Sequence, residues 1–233
     1  LVGSEMCIRD SNRTRTSIYV ETEKLKLIVD TGPDFRQQLL REKIDDLDVV
    51  LFTHPHKDHI SGLDDIRPIN YLKNKVIDVY ANEMTLNRLK LEYQYIFENN
   101  YPGVPQIKTH LISDNDVIKF EDIHVEVLHA MHGKMPVLGF KFNKFVYLTD
   151  VNYMSKTEIE KIEEVDILVI NAIHHKKHYS HFNLEEALQF IKEVNPKKAY
   201  LIHLSHKMGL HTVIEEQLPN NVFISYDGLK LEI

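Results

Sequence analysis

The sequence predicts an α/β protein in which two sets of strands each carry helices over one face. Three observations predict it. Short apolar runs of strand length, such as Val49-Val50-Leu51-Phe52 and Ala199-Tyr200-Leu201-Ile202, alternate with stretches of helical character. Several of these runs stop at an aspartate or a histidine, at Asp30, His54, Asp150 and His203. No internal repeat or low-complexity tract interrupts the pattern, and 233 residues suffice to bury a large core. A composition of 43% hydrophobic and 27% charged residues is that of an ordinary soluble globular chain.

Taken in order, residues 1–10, LVGSEMCIRD, carry no periodicity and read as extraneous sequence ahead of a truncated gene. Residues 11–233 are expected to form a single domain. Strands are predicted at 17–21 and 25–30, then a helix at 35–41 after the break Asp30-Thr31-Gly32-Pro33-Asp34. After the buried run at 49–52 come a strand at 76–80 and an amphipathic helix at 83–97. Residues 93–105 gather Tyr93, Tyr95, Phe97, Tyr101, Pro102 and Pro105 around Gly103. Such a stretch could cover a ring-shaped substrate, form a dimer contact or cover core. Strands are predicted at 107–112, 117–120, 124–129, 137–142 and 145–149. A helix at 157–163 and a strand at 166–171 follow. The next helix, 183–194, is capped by Asn183, with Glu185 and Glu186 in its first turn and Pro196 as its stop. A strand at 199–202, a helix at 213–217 and a hairpin of 222–226 with 229–233 across Asp227-Gly228 close the chain.

Composition bounds the partners. A net charge of −7 fits poorly with a protein held on nucleic acid by a broad basic face. The single Cys7 excludes an intrachain disulfide framework and fits a reducing compartment, and no run is apolar enough to span a membrane. A cytoplasmic location without stable nucleic-acid binding is expected.

Chemistry concentrates in Thr53-His54-Pro55-His56-Lys57-Asp58-His59, on the loop that leaves the 49–52 strand. Imidazole and carboxylate donors suit zinc, manganese or iron. One ion cannot readily use all four residues, because adjacent side chains at Asp58 and His59 diverge. Two ions can, with His54 and His56 on one and Asp58 and His59 on the other.

This His-x-His-x-Asp-His string after a hydrophobic strand resembles the signature of the metallo-β-lactamase-fold hydrolases. Its continuation Ser61-Gly62-Leu63-Asp64-Asp65-Ile66-Arg67-Pro68 is similar to the branch containing the phosphoribosyl cyclic phosphate phosphodiesterases. The resemblance runs from about Arg15 to the C-terminus. It implies a four-layer αββα sandwich, which periodicity alone could not select. Members of that branch begin with a glycine-rich strand and a cysteine cluster; with neither in this sequence, the native N-terminal strand is expected to be missing.

The resemblance also completes the site. It places His132 with His54 and His56 on the first ion, His203 with Asp58 and His59 on the second, and Asp150 as the bridge. His129 competes with His132, and His206 with His203. Asp30 takes the role of a brace behind the metal loop, against the reading of a helix cap. His181, one of four histidines with His174, His175 and His178 ahead of the 183–194 helix, matches the leaving-group position, so Asp58 and His181 are the candidate catalytic residues. His110, His124 and His211 are expected to be ordinary polar residues, and Asp64, Asp65 and Arg67 solvated charges or anion contacts. The implied activity is hydrolysis of a small phosphodiester by two divalent ions, Zn2+ or Mn2+, in a possible homodimer. The alternatives are a tRNA 3′-processing-type nuclease and another ester or thioester hydrolase of the same fold.

Overall fold

The computed structural model describes residues 13–98 and 103–233. Residues 1–10, Cys7, Tyr101 and Pro102 therefore lie outside the described residues. The described chain forms two compact units, residues 15–124 and residues 125–233 together with Arg13 and Thr14.

In the 15–124 unit, β1 (Ile18–Glu21), β2 (Lys26–Val29), β3 (Val49–Leu51), β4 (Ile77–Ala81) and β5 (Ile107–Leu111) lie side by side in chain order. Only β1 and β2 are antiparallel, joined by a tight turn; the remaining pairs are parallel. Parallel neighbours need crossovers, and helices supply them. These are α1 (Phe35–Glu42), α2 (Lys57–Ile60), α3 (Arg67–Lys73), α4 (Glu83–Glu92) and α5 (Gln94–Glu98), followed later by β6 (Val117–Lys119). The core beneath them joins Ile28, Val50 and Phe52 from the sheet side to Phe35, Leu63, Ile66 and Leu89. The helix expected over 83–97 is broken at Tyr93, where φ is −116° and ψ 37°. Tyr93 is buried and its hydroxyl donates to Ile60 O at 2.8 Å. Seating that ring in the core overrides local helix preference, so Tyr93 belongs to the core.

In the 125–233 unit, β7 (His124–His132), β8 (Met135–Phe142) and β9 (Phe145–Leu148) are antiparallel, while β9, β10 (Ile167–Asn171), β11 (Lys198–Ile202) and β12 (Val222–Ile224) are parallel. Every residue of β9 and β10 is buried, as expected for inner parallel strands read as unbroken apolar runs. Helices α6 (Lys156–Glu160), α7 (Leu184–Val194) and α8 (His211–Glu215) connect the strands. On α7, Ala187, Phe190, Ile191 and Val194 are buried at helical spacing, and each large side chain there contributes roughly 1.5–3 kcal/mol. Asn183 and Glu186 form a reciprocal capping box at its start.

Two expectations for this unit change. β7 does not stop at 129 but runs to His132, which pairs with Met135 across a turn in which Gly133 has φ +64°. The closing hairpin is not formed: β12 pairs in parallel with β11, and residues 229–233 are not a strand. Asp227 instead uses one carboxylate oxygen to accept from both the N–H and the hydroxyl of Thr14, at 2.9 Å each. Among the described residues no helix is long and apolar enough to cross a membrane.

One close backbone contact in the 15–124 unit sets the position of the 53–62 loop. Thr31 N–H donates to His59 O at 2.8 Å, and Gly62 N–H donates to Thr31 O at 2.7 Å. A Cβ added at Gly62 would stand 2.2 Å from Gly32 O, and one at Gly32 2.3 Å from Asp58 O. Both glycines are therefore required by proximity. Gly62→Ala is expected to destabilise the protein by about 1–3 kcal/mol, as overpacking does, and to lower metal affinity with it. Denaturant unfolding with parallel metal titration measures both; wild-type values for this variant would mean that the loop has room to move.

Candidate metal centre

Asp30 follows β2, is fully buried and holds a left-handed backbone at φ +64°. Its Oδ1 accepts from Thr53 N–H at 2.8 Å, and its Oδ2 from the Thr53 hydroxyl at 2.7 Å. Oδ2 also lies 2.7 Å from His59 Nδ1. The Thr53 hydroxyl has a single proton and gives it to Asp30, so at 2.9 Å it must accept from His54 Nδ1–H. This chain of bonds assigns the tautomers: His54 and His59 carry their protons on Nδ1 and turn Nε2 lone pairs outward. Burial raises the Asp30 carboxyl above the usual carboxylate range, and His59 and Thr53 oppose that rise. The ionised form is the one whose two oxygens accept all three bonds. The helix-cap reading of Asp30 falls away, since the residue before α1 is Asp34.

His54 Nε2 and His56 Nδ1 stand 3.1 Å apart, and Asp58 Oδ2 lies 3.5 Å from His59 Nε2. His54 and His59 are buried, Asp58 is half-exposed and His56 exposed.

The other donors close strands of the 125–233 unit. His132 ends β7, and its Nδ1 donates to Ser180 O at 2.7 Å, which again leaves Nε2 as the acceptor atom. Asp150 and His203 follow β9 and β11 with φ of +57° and +53°. His203 Nε2 lies 3.1 Å from Asp150 Oδ1, which also accepts the Thr149 hydroxyl at 2.8 Å. Asn171, at the end of β10, clamps the next residue: its Oδ1 accepts from Val151 N–H at 2.6 Å and its Nδ2 donates to Val151 O at 3.0 Å. Asn171 and Thr53 are positioning residues that carry no motif of their own; an asparagine ending an apolar strand is the signal available for the first.

All seven expected donors fall into two groups. His54, His56, His132 and Asp150 form one, Asp58, His59, Asp150 and His203 the other, and within each group the donor atoms lie within 4.8 Å of one another. The donors fit divalent ions. Imidazole and carboxylate are the right ligand classes, and bonds at the far nitrogens of His54, His59 and His132 orient them as metal-binding histidines are oriented. Neither group includes His129 or His206. His110 stacks on Tyr80 and lies 2.5 Å from Asp78, while His211 contacts Arg13 and Glu215. Asp64 accepts the Tyr95 hydroxyl and Arg67 donates to Gly103 O.

His181 is buried, with ring centroids 4.5 Å from His132 and 5.0 Å from His203. Its Nδ1 finds no hydrogen-bond partner among the described residues and lies 4.0 Å from Asp150 Oδ2. Burial pushes this imidazole down to about 3; Asp150 pulls it up, while His203, His132 and His178 push it further down.

The sequence profile of the β-lactamase superfamily domain matches residues 26–204. The chain belongs to that superfamily. It has the α/β metallo-β-lactamase fold, whose mixed sheets are flanked by helices. A superfamily crystal structure described as a new diphosphatase from the PhnP family is 31% identical, with a TM-score of 0.90 over 99% of this chain and 90% of that one. An octanoyltransferase of Porphyromonas gingivalis is 39% identical over 95% of this chain and 45% of its own length. Exodeoxyribonuclease WalJ of Streptococcus pneumoniae is 33% identical over 74% of this chain and 64% of its own length. The chain thus spans less than two-thirds of these curated relatives. Human tRNase Z, short form, shares the fold at 16% identity and a TM-score of 0.69.

If Asp30 orients two imidazoles, Asp30→Asn should lower divalent-metal affinity about 10–100-fold while the protein stays folded. Competition against a chromogenic chelator reads the affinity. Unchanged affinity in a folded variant would remove Asp30 from any bracing role.

Proposed function

We propose that the chain hydrolyses a small phosphodiester, a cyclic ribose phosphate such as phosphoribosyl 1,2-cyclic phosphate, with two divalent ions, Zn2+ or Mn2+. The observation that carries this reading is the pair of donor groups sharing Asp150. His54, His56 and His132 would hold one ion, Asp58, His59 and His203 the other, and Asp150 both. When bound, such a pair supplies Lewis acidity and makes water acidic enough to ionise near neutral pH. Support for a phosphate-linked substrate comes from a relative named as a diphosphatase, and for a phosphodiester from relatives named as an exodeoxyribonuclease and, at 24% identity, a ribonuclease Z of Methanopyrus kandleri. A net charge of −7 favours a compact anion over a polymer. The single cysteine fits a cytoplasmic setting, and residues 11–233 would act as one catalytic domain.

Asp58 has a half-exposed carboxylate that would accept a proton from attacking water as well as binding an ion. His181 would deliver a proton to the leaving sugar oxygen. With burial pushing its imidazole down to about 3, His181 would be neutral before substrate arrives. Two bound ions would push it further down, so His181 would serve as the acid only where the anionic phosphodiester offsets their charge and favours the imidazolium.

Three measurements test this reading. Purified protein should take up about two ions per chain, lose activity with a chelator and regain it with zinc or manganese. Full activity with one ion per chain would end the two-ion assignment. A cyclic ribose phosphate should be turned over much faster than precursor tRNA; the reverse order at physiological salt would make the protein a tRNA-processing nuclease. His181→Ala should keep its metals yet lose roughly 10²–10⁴-fold in rate on a sugar phosphodiester. A nitrophenyl ester, whose leaving group departs as the anion, should suffer far less. Equal losses on both esters would show that His181 is not the acid.

A further inference from the structure

The segment joining β10 to α7 carries His174, His175, His178, Tyr179 and His181, none of which is a donor in either metal group. Part of this segment continues a file of rings that starts at His203. The His203 and His181 rings are stacked, with centroids 5.0 Å and planes 27° apart. His181 meets His178 at 5.0 Å, and His178 meets Tyr179 at 5.3 Å. The file passes from His181, 8% exposed, to Tyr179, 81% exposed. It leads from a metal donor out to solvent.

Tyr179 is also held in place. Asn152 Nδ2 donates to Tyr179 O at 3.1 Å, and Asn152 Oδ1 accepts from Gly133 N–H at 2.8 Å. The next residue, Ser180, accepts from the metal donor His132. The backbone at Tyr179 is thus tied to the His132-Gly133 turn from two sides. A Cβ at Gly133 would stand 3.3 Å from Tyr179 Cε2, so the ring lies close over that turn. An ordinary surface tyrosine needs neither the ties nor the ring file. An aromatic face bare to solvent, on a backbone tied beside the site, is what a flat ligand group stacks on.

We propose that Tyr179 is a specificity-determining residue, its ring stacking the heterocyclic base of a phosphodiester whose phosphate lies at the metal donors. The inference rests on the phosphodiester reading and departs from it in one respect: the preferred ester carries a base on its sugar, which phosphoribosyl 1,2-cyclic phosphate lacks. Every base has a π-face, so Tyr179 should discriminate weakly among bases and strongly against sugars without one. Loss of one such contact costs about tenfold or more in affinity.

The test uses the zinc-loaded full chain as wild type, Tyr179→Ala and Tyr179→Phe. One arm measures kcat and KM on 2′,3′-cyclic AMP and on phosphoribosyl 1,2-cyclic phosphate. The other measures calorimetric Kd for AMP and for ribose 5-phosphate. Wild type should favour the base-bearing member of each pair about tenfold. Tyr179→Ala should collapse both preferences toward one, through KM rather than kcat, and Tyr179→Phe should retain them. A wild type without preference, equal losses on both members, or a Tyr179→Phe defect as deep as that of Tyr179→Ala would overturn the stacking role. No turnover of either ester would defeat the phosphodiester reading instead, and the AMP and ribose 5-phosphate affinities would still decide the role of Tyr179.

Discussion

A buried carboxylate on a left-handed backbone carries much of this structure. Asp30 has no contact with solvent, so its charge survives only because three hydrogen-bond contacts converge on it. Thr53 and His59 take their orientation from it, and His54 takes its own from Thr53. Without that carboxylate the Thr53 hydroxyl could turn its proton toward His54, and the tautomer of a candidate metal donor would no longer be set. The Gly32–Gly62 approach serves the same end, because it fixes how far Asp30 lies from the loop it braces.

The same device recurs where β9 and β11 end. Asp30, Asp150 and His203 are non-glycine residues at positive φ, each just beyond a strand. Left-handed backbone costs such residues about 1–3 kcal/mol each, so the surroundings must over-determine it. For Asp30 that role falls to Thr53 and His59, and beside Asp150 to the Asn171 clamp on Val151. The geometric return is a sharp turn that sends the side chain off the strand axis while the strand itself stays apolar and buried.

How far this was legible in the sequence depends on whether a feature is local. The donor loop was legible because residue type and spacing within 54–59 carry it, and the strand ends because apolar runs stop at a titratable residue. The left-handed turns were not, since nothing in the letters of Asp150 or His203 marks φ. Nor was the break at Tyr93, which depends on a hydrogen bond to Ile60 from another segment. The closing hairpin was misread for the same reason. Asp227-Gly228 is a good local turn signal, but Asp227 is occupied by Thr14, far away in sequence.

If an acidic protein is to bind an anion, its local charge must oppose its net charge, and the donor set provides for that. Five of the seven donors are imidazoles, and only Asp58 and Asp150 bring negative charge. Those two carboxylates and the buried Asp30 beside His59 would leave two divalent ions a local excess of one positive charge, whereas seven donor carboxylates would reverse the sign. The net −7 is spread over the chain, and at ionic strengths near 0.1 M charges more than about 10 Å away are largely screened. Inside that radius the charge of bound ions would dominate and would attract a small phosphate ester. A long polyanion must also meet the acidic surface beyond it. Histidine rather than aspartate at five of the seven positions would therefore let the site select for charge, quite apart from how it would hold ions.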